Sequence, residues 1–171
     1  MVGRDGKEVG SGKGEGKRGF RKLMAWEKAD KLASSVFQAL QERKTPPWLA
    51  AQTIRAAVSV PANIAEGYTR GALKDYLRFL DIARGSLAEL EYYLHFMVTN
   101  QLMDSSVYES LTRLHSEVGN ILVALVRSLR LKLKEGSWDR ARISEDLAEY
   151  STVSTDSLPS SSFPLPEGEE V

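Results

Sequence analysis

The feature that most constrains this chain is a run of apolar residues, Leu73, Leu77, Leu80, Ala83, Leu87, Leu90, Leu94 and Met97, separated by steps of three and four. Such spacing keeps every member on one stripe of an α-helix and on no single face of a strand. It predicts a helix from about Ala72 to Asn100, roughly 40 Å long at the helical rise. A one-sided helix is stable only when its stripe is buried, and the flanking sequence supplies matching stripes. Leu23, Trp26, Ala33, Phe37 and Leu40 predict a helix over about 22–42, and Val107, Leu111, Leu114, Val118, Ile121 and Leu125 predict another that continues to about Leu133. Between them Thr45-Pro46-Pro47 breaks the chain, with Thr45 read as an N-cap and the prolines suited to a first turn. A further helix then runs to about Glu66, with Gly67 as its stop. Four amphipathic segments joined by short connections predict an all-α protein, an up-down-up-down antiparallel four-helix bundle. Period-two alternation is nowhere long enough for a sheet.

The bundle accounts for about 21–135. Residues 1–20 alternate glycine with charge, and 151–171 are a Ser/Pro mixture with acidic residues, so neither has enough apolar surface to offset the entropy of ordering. Both are expected to be disordered, a Gly/Lys-rich arm and an acidic tail, while 136–150 can add a short helix. Formal charge is zero, but 1–22 carry seven Lys/Arg against three Asp/Glu and 139–171 carry two against eight. Total charge therefore says little about partners. With no cysteine, disulfides, thiolate metal sites and a thiol nucleophile are excluded. No long apolar run and no signal-peptide core are present, so a cytoplasmic protein without membrane contact is expected.

The third and fourth helices carry more apolar surface than one core needs. Ile82, Gly85, Tyr92 and Phe96 form a second row on one; Leu122, Val126, Leu129 and Leu133 form a second row on the other. Large exposed apolar patches are uncommon on soluble monomers, so Ile82, Tyr92, Phe96, Leu122, Val126 and Leu129 are candidate oligomer contacts. The alternative is a wide core face covered by the segment around Trp138, Ile143, Leu147 and Tyr150.

The second helix contains Pro61, which removes a backbone donor and clashes with the preceding turn, so a kink is expected there. Asn63 and Glu66 follow at once. Their side chains either bond backbone groups at the kink, an architectural role, or reach Arg55 or Arg70. Arg70, Lys74 and Arg78 recur every four residues and predict a basic ridge for nucleic acid, with Arg55 and Arg84 as extensions; the competing reading is a solvated face partly cancelled by Asp75 and Asp81. Arg127, Arg130, Lys132 and Lys134 lie where cations suit a helix C-terminus, a structural role first and nucleic-acid contact second. Glu-x-x-His spacing for a di-iron bundle is missing at both His95 and His115, and Gly10-Ser11-Gly12-Lys13 lacks the pattern of a phosphate loop. No catalytic residue, metal site or cofactor is expected.

The run from Gln52 to Arg70, with Ser59-Val60-Pro61-Ala62-Asn63-Ile64-Ala65-Glu66-Gly67 at its centre, is followed by Asp75-Tyr76-Leu77-Arg78-Phe79-Leu80 and by Ala83-Arg84-Gly85-Ser86-Leu87-Ala88-Glu89-Leu90-Glu91. These segments closely resemble the four-helix-bundle family encoded in intervening sequences of bacterial 23S rRNA genes, a family that includes the accessory variability determinant of diversity-generating retroelements. The likeness spans about 20–133. It implies a barrel-shaped homopentamer and, for the retroelement member, a partner of a reverse transcriptase that binds RNA or DNA. Pro61, Asn63, Glu66 and Gly67 make up the family's structural motif here. This chain departs from the family in having Pro46-Pro47-Trp48-Leu49 ahead of the second helix and Ile54 at a position often basic. Those changes bear on a nucleic-acid face and not on the bundle. An rRNA-insert protein without a reverse transcriptase, and a protein-only scaffold, are the other readings.

Overall fold

A computed structural model describes residues 19–41 and 45–136; the arm, the 137–150 segment and the tail lie outside the described residues. A single 3-10 turn over Gly19–Lys22 leads into α1 (Met24–Gln41), followed by α2 (Pro47–Thr69), α3 (Leu73–Thr99) and α4 (Ser105–Glu135). Each helix packs on its chain neighbours and α4 closes on α1, where Lys28 pairs with Glu117. That cyclic order, with connections as short as 70–72 and 100–104, is the up-down-up-down bundle. Among the described residues there is no strand.

All eight members of the α3 stripe, Leu73 through Met97, are buried. They meet Leu32 and Val36 of α1, Val60 and Ile64 of α2, and Val118 and Leu122 of α4 in one core. Of the stripe expected on α1, Leu23, Ala33 and Leu40 are buried and Trp26 is half-buried, and Phe37 departs from it. The buried residues of the helix are Ala25, Ala29, Leu32, Ala33, Val36 and Leu40, whereas Phe37 is 48% exposed. Small alanines let α1 approach its neighbours closely, so the bulkiest apolar residues need not mark the buried face.

On α4 the second row is a correction to the expected oligomer contacts. Leu122, Val126 and Leu129 are 0%, 3% and 2% exposed within a single chain and belong to its core. Because α4 packs on both α1 and α3, it buries a wide sector rather than one narrow stripe. The apolar residues α4 leaves outside are Val123, Leu131 and Leu133.

Two boundaries of α2 also differ from expectation. Pro46, in an extended conformation, occupies the N-cap position, and its carbonyl accepts bonds from the Leu49 and Ala50 amides at 2.9 and 3.0 Å. Thr45 is thus outside the cap, its Oγ1 buried with no hydrogen-bond partner among the described residues. At the other end the helix passes through Gly67 to Thr69. Gly67 is not a stop; it is a point of close approach to α3. A Cβ there would sit 2.7 Å from the Phe79 Cβ and 2.8 Å from the Tyr76 Cδ2, inside any normal contact distance. α4 ends as helices often do, at Gly136 with φ +65° and its amide donating to the Lys132 carbonyl.

Candidate nucleic-acid interface

α2 and α3 run antiparallel in a register that places Arg55 opposite Glu89, Ser59 opposite Ser86 and Gly67 against Tyr76 and Phe79. This register fixes where each candidate residue falls. At the α2–α3 corner, Arg70 is extended rather than helical, and its amide donates to the Gly67 carbonyl at 3.1 Å. Its guanidinium pairs with Glu66 and lies over the Phe79 ring at 4.9 Å. Arg78 reaches the same ring at 5.5 Å, and Lys74, one turn earlier, is exposed. Arg70, Lys74 and Arg78 are therefore brought together, but around an aromatic platform and not along an unbroken helical ridge. A guanidinium over a ring keeps most of its donors free for a phosphate while its position is held.

The other two candidates fall elsewhere. Arg55 is about four turns earlier on α2, roughly 22 Å along the axis at the helical rise; it bonds Gln52 at 3.2 Å and Glu89 at 3.4 Å. Arg84 faces α4. It pairs with Asp81 at 3.1 Å, and Asp81 also takes Arg130 of α4 at 3.4 Å. Together with Arg127, Arg130 and Lys134, Arg84 lines an open groove of about 270 Å³ between the two helices. Sequence reasoning separated Arg84 from the α4 cations, because the signal that joins them is a contact between residues nearly fifty positions apart.

The motif residues have structural partners. The Asn63 amide donates to the Ser59 carbonyl at 2.8 Å and to its hydroxyl at 3.0 Å. Ser59 and Ser86 hydroxyls are 2.9 Å apart, and Ser86 donates to the Ile82 carbonyl at 3.1 Å. The consistent assignment is a one-way relay in which Asn63 donates to Ser59, Ser59 to Ser86, and Ser86 to the α3 backbone. The carbonyl that Pro61 deprives of an amide is that of Ala57, four residues earlier, so Asn63 does not repair the proline; it holds Ser59, whose hydroxyl makes the link to α3. α2 continues without a break through Pro61, which is buried. Glu66 reaches Arg70, one of the two cations expected for it.

His115 is buried, its Nε2 2.9 Å from the Leu87 carbonyl, which ties α4 to α3. Among the described residues no cluster of three His, Cys, Asp or Glu side chains is placed to hold a metal, and no helix is long and apolar enough to cross a membrane. Of the apolar residues proposed as oligomer contacts on α3, Ile82 is 41% and Tyr92 59% exposed. Phe96 is half-buried, with its ring 6.3 Å from that of Tyr92.

A family model described as 23S rRNA-intervening sequence protein matches residues 21–124, which is the bundle from the start of α1 into α4. The chain is also similar in structure to a protein with unknown function from the S23 ribosomal protein family of Bacteroides thetaiotaomicron. The TM-score is 0.57 at 22% identity, over 60% of this chain and 98% of that one. At that identity the likeness shows the fold alone. No curated protein matches the sequence.

Proposed function

The chain belongs to the 23S rRNA-intervening sequence protein family, and from that premise we propose that it is a non-catalytic accessory protein that binds nucleic acid as a cytoplasmic homo-oligomer. One observation carries the reading: Arg70 and Arg78 converge on Phe79 with Lys74 beside them. Cations that neutralise phosphates release counterions, and an aromatic ring nearby offers a stacking surface for a base. Ile82 and Tyr92, exposed on α3 with half-buried Phe96 beside Tyr92, support self-association, and in the pentamer that the family resemblance implies, a modest patch recurs five times. A reverse transcriptase is the partner class within this reading; co-purification with such an enzyme tests it separately.

The test is titration of a fluorescent single-stranded RNA, and of the matching DNA, at salt rising from roughly 50 to 200 mM. Affinity is expected to fall about tenfold or more over that range, and to be lost in the Arg70→Ala, Lys74→Ala, Arg78→Ala triple variant with helix content unchanged. Binding that ignores salt, or survives the triple variant, overturns the proposal. A protein-only scaffold is the second reading. It is favoured by the carboxylates on three of the five candidate cations, Glu66 on Arg70, Glu89 on Arg55 and Asp81 on Arg84.

A further inference from the structure

The groove between α3 and α4 differs from the α2–α3 corner in combining charge with apolar surface. Val123 and Leu131 are 45% and 51% exposed there, and Arg84, Arg127, Arg130 and Lys134 form the rim. Asp81 pairs with Arg84 and Arg130 beside the groove. The Arg84 Nε is buried with no acceptor among the described residues, a donor that a carboxylate would satisfy. Such a surface fits an amphipathic segment with acidic flanks.

The chain supplies one immediately. α4 ends at Gly136, whose φ of +65° turns the backbone off the helix axis. Residues 143–150 read Ile-Ser-Glu-Asp-Leu-Ala-Glu-Tyr. Ile143, Leu147 and Tyr150 are spaced four and three, one helical stripe, with Glu145, Asp146 and Glu149 off it and no basic residue among them. The dimensions agree: eight helical residues span about 12 Å, the groove from Val123 to Lys134 about 16 Å, and a six-residue link at 137–142 reaches up to about 20 Å. We propose that residues 143–150 fold back into the α3–α4 groove of their own chain, with Ile143, Leu147 and Tyr150 over Val123 and Leu131. Glu145, Asp146 and Glu149 then meet Arg84, Arg127, Arg130 and Lys134. The inference does not depend on what the α2–α3 corner binds.

Because the chain has no cysteine, introduced pairs report proximity without interference. In the full-length protein, Val123→Cys with Tyr150→Cys is compared with Val58→Cys with Tyr150→Cys, since Val58 is exposed on the α1–α2 side. Under mild oxidation the first pair is expected to close within one chain about tenfold faster than the second, whatever the protein concentration. Adding Arg127→Glu and Arg130→Glu slows that closure by a similar factor, and Glu145→Arg with Asp146→Arg restores it. Hydrogen exchange on the unsubstituted protein gives an independent reading, with amides of 143–150 protected at low salt and released at high salt. Equal closure of the two pairs overturns the proposal. So do disulfides that join two chains, which make the groove a contact between copies, and so does exchange over 143–150 at the rate of an unprotected peptide.

Discussion

At Gly67 a missing side chain sets the distance between two helices. A methyl group there would meet the Phe79 Cβ and the Tyr76 ring at under 3 Å, and the Phe79 Cβ, held to its backbone, cannot rotate away. Gly67→Ala is expected to cost about 1–3 kcal/mol, the usual penalty of overpacking, read as a lower midpoint in urea at unchanged slope. The facing residue makes a second prediction. Tyr76 is 1% exposed, and its hydroxyl has no hydrogen-bond partner among the described residues. Removing an unsatisfied buried group without opening a cavity is neutral or favourable, so Tyr76→Phe should leave thermal stability the same or raise it. Burial, with a smaller contribution from Tyr68, holds the Tyr76 phenol far above its ordinary value. The sign follows from proton binding. Above about pH 10 the unfolded phenol ionises while the folded one keeps its proton, so the folded state binds more protons and stability falls as pH rises. Denaturant melts at pH 9 and at pH 11 should show a smaller alkaline loss in Tyr76→Phe than in the wild type, and equal losses would refute the burial argument.

Between α2 and α3 a polar relay runs from Asn63 through Ser59 and Ser86 to the Ile82 carbonyl. A relay is coupled because each hydroxyl both accepts and donates, so losing one member strands the next. Ser59→Ala and Ser86→Ala should each cost about 1 kcal/mol, and the double variant less than their sum, as a double-mutant cycle in urea would show. Additive costs would mean that the two hydroxyls act independently. Asn63's own bonds, to the Ser59 carbonyl and hydroxyl, stay within α2 and are local in sequence, whereas the Ser59–Ser86 link joins residues far apart that nothing in the local pattern connects.

For the molecule as a whole, the proposed self-association rests on the surfaces left uncovered. Tyr92, the most exposed aromatic of α3 at 59%, lies on the outer row, whereas Leu122 is fully buried in α4. Tyr92→Arg should therefore lower the mass measured by light scattering without loss of helix. Leu122→Glu places a charge in the core and should unfold the chain instead. A Tyr92→Arg variant of undiminished mass would move the interface to another face, such as the α1–α2 groove with Phe37 and Val58 exposed.

What the amino-acid order determined by itself is the set of helices and, for α3, the buried face. Every member of its three-and-four stripe is in the core, and its ends at Leu73 and Thr99 lie one residue inside those expected. Local periodicity carries that information because a long helix surrounded by partners must bury its one continuous apolar stripe. It failed where burial depends on neighbours. Phe37 is exposed while Ala29 is buried, and Leu122, Val126 and Leu129 turn inward because α4 is wedged between two helices. The candidate site divides in the same way. Arg70, Lys74 and Arg78 are near one another in sequence and remain together, whereas Arg55 is distant and Arg84 joins Arg130 through Asp81. Tertiary structure alone decided those placements, since which charges share a surface depends on interhelical register, and register is set by contacts such as Gly67 on Phe79 that no single helix contains.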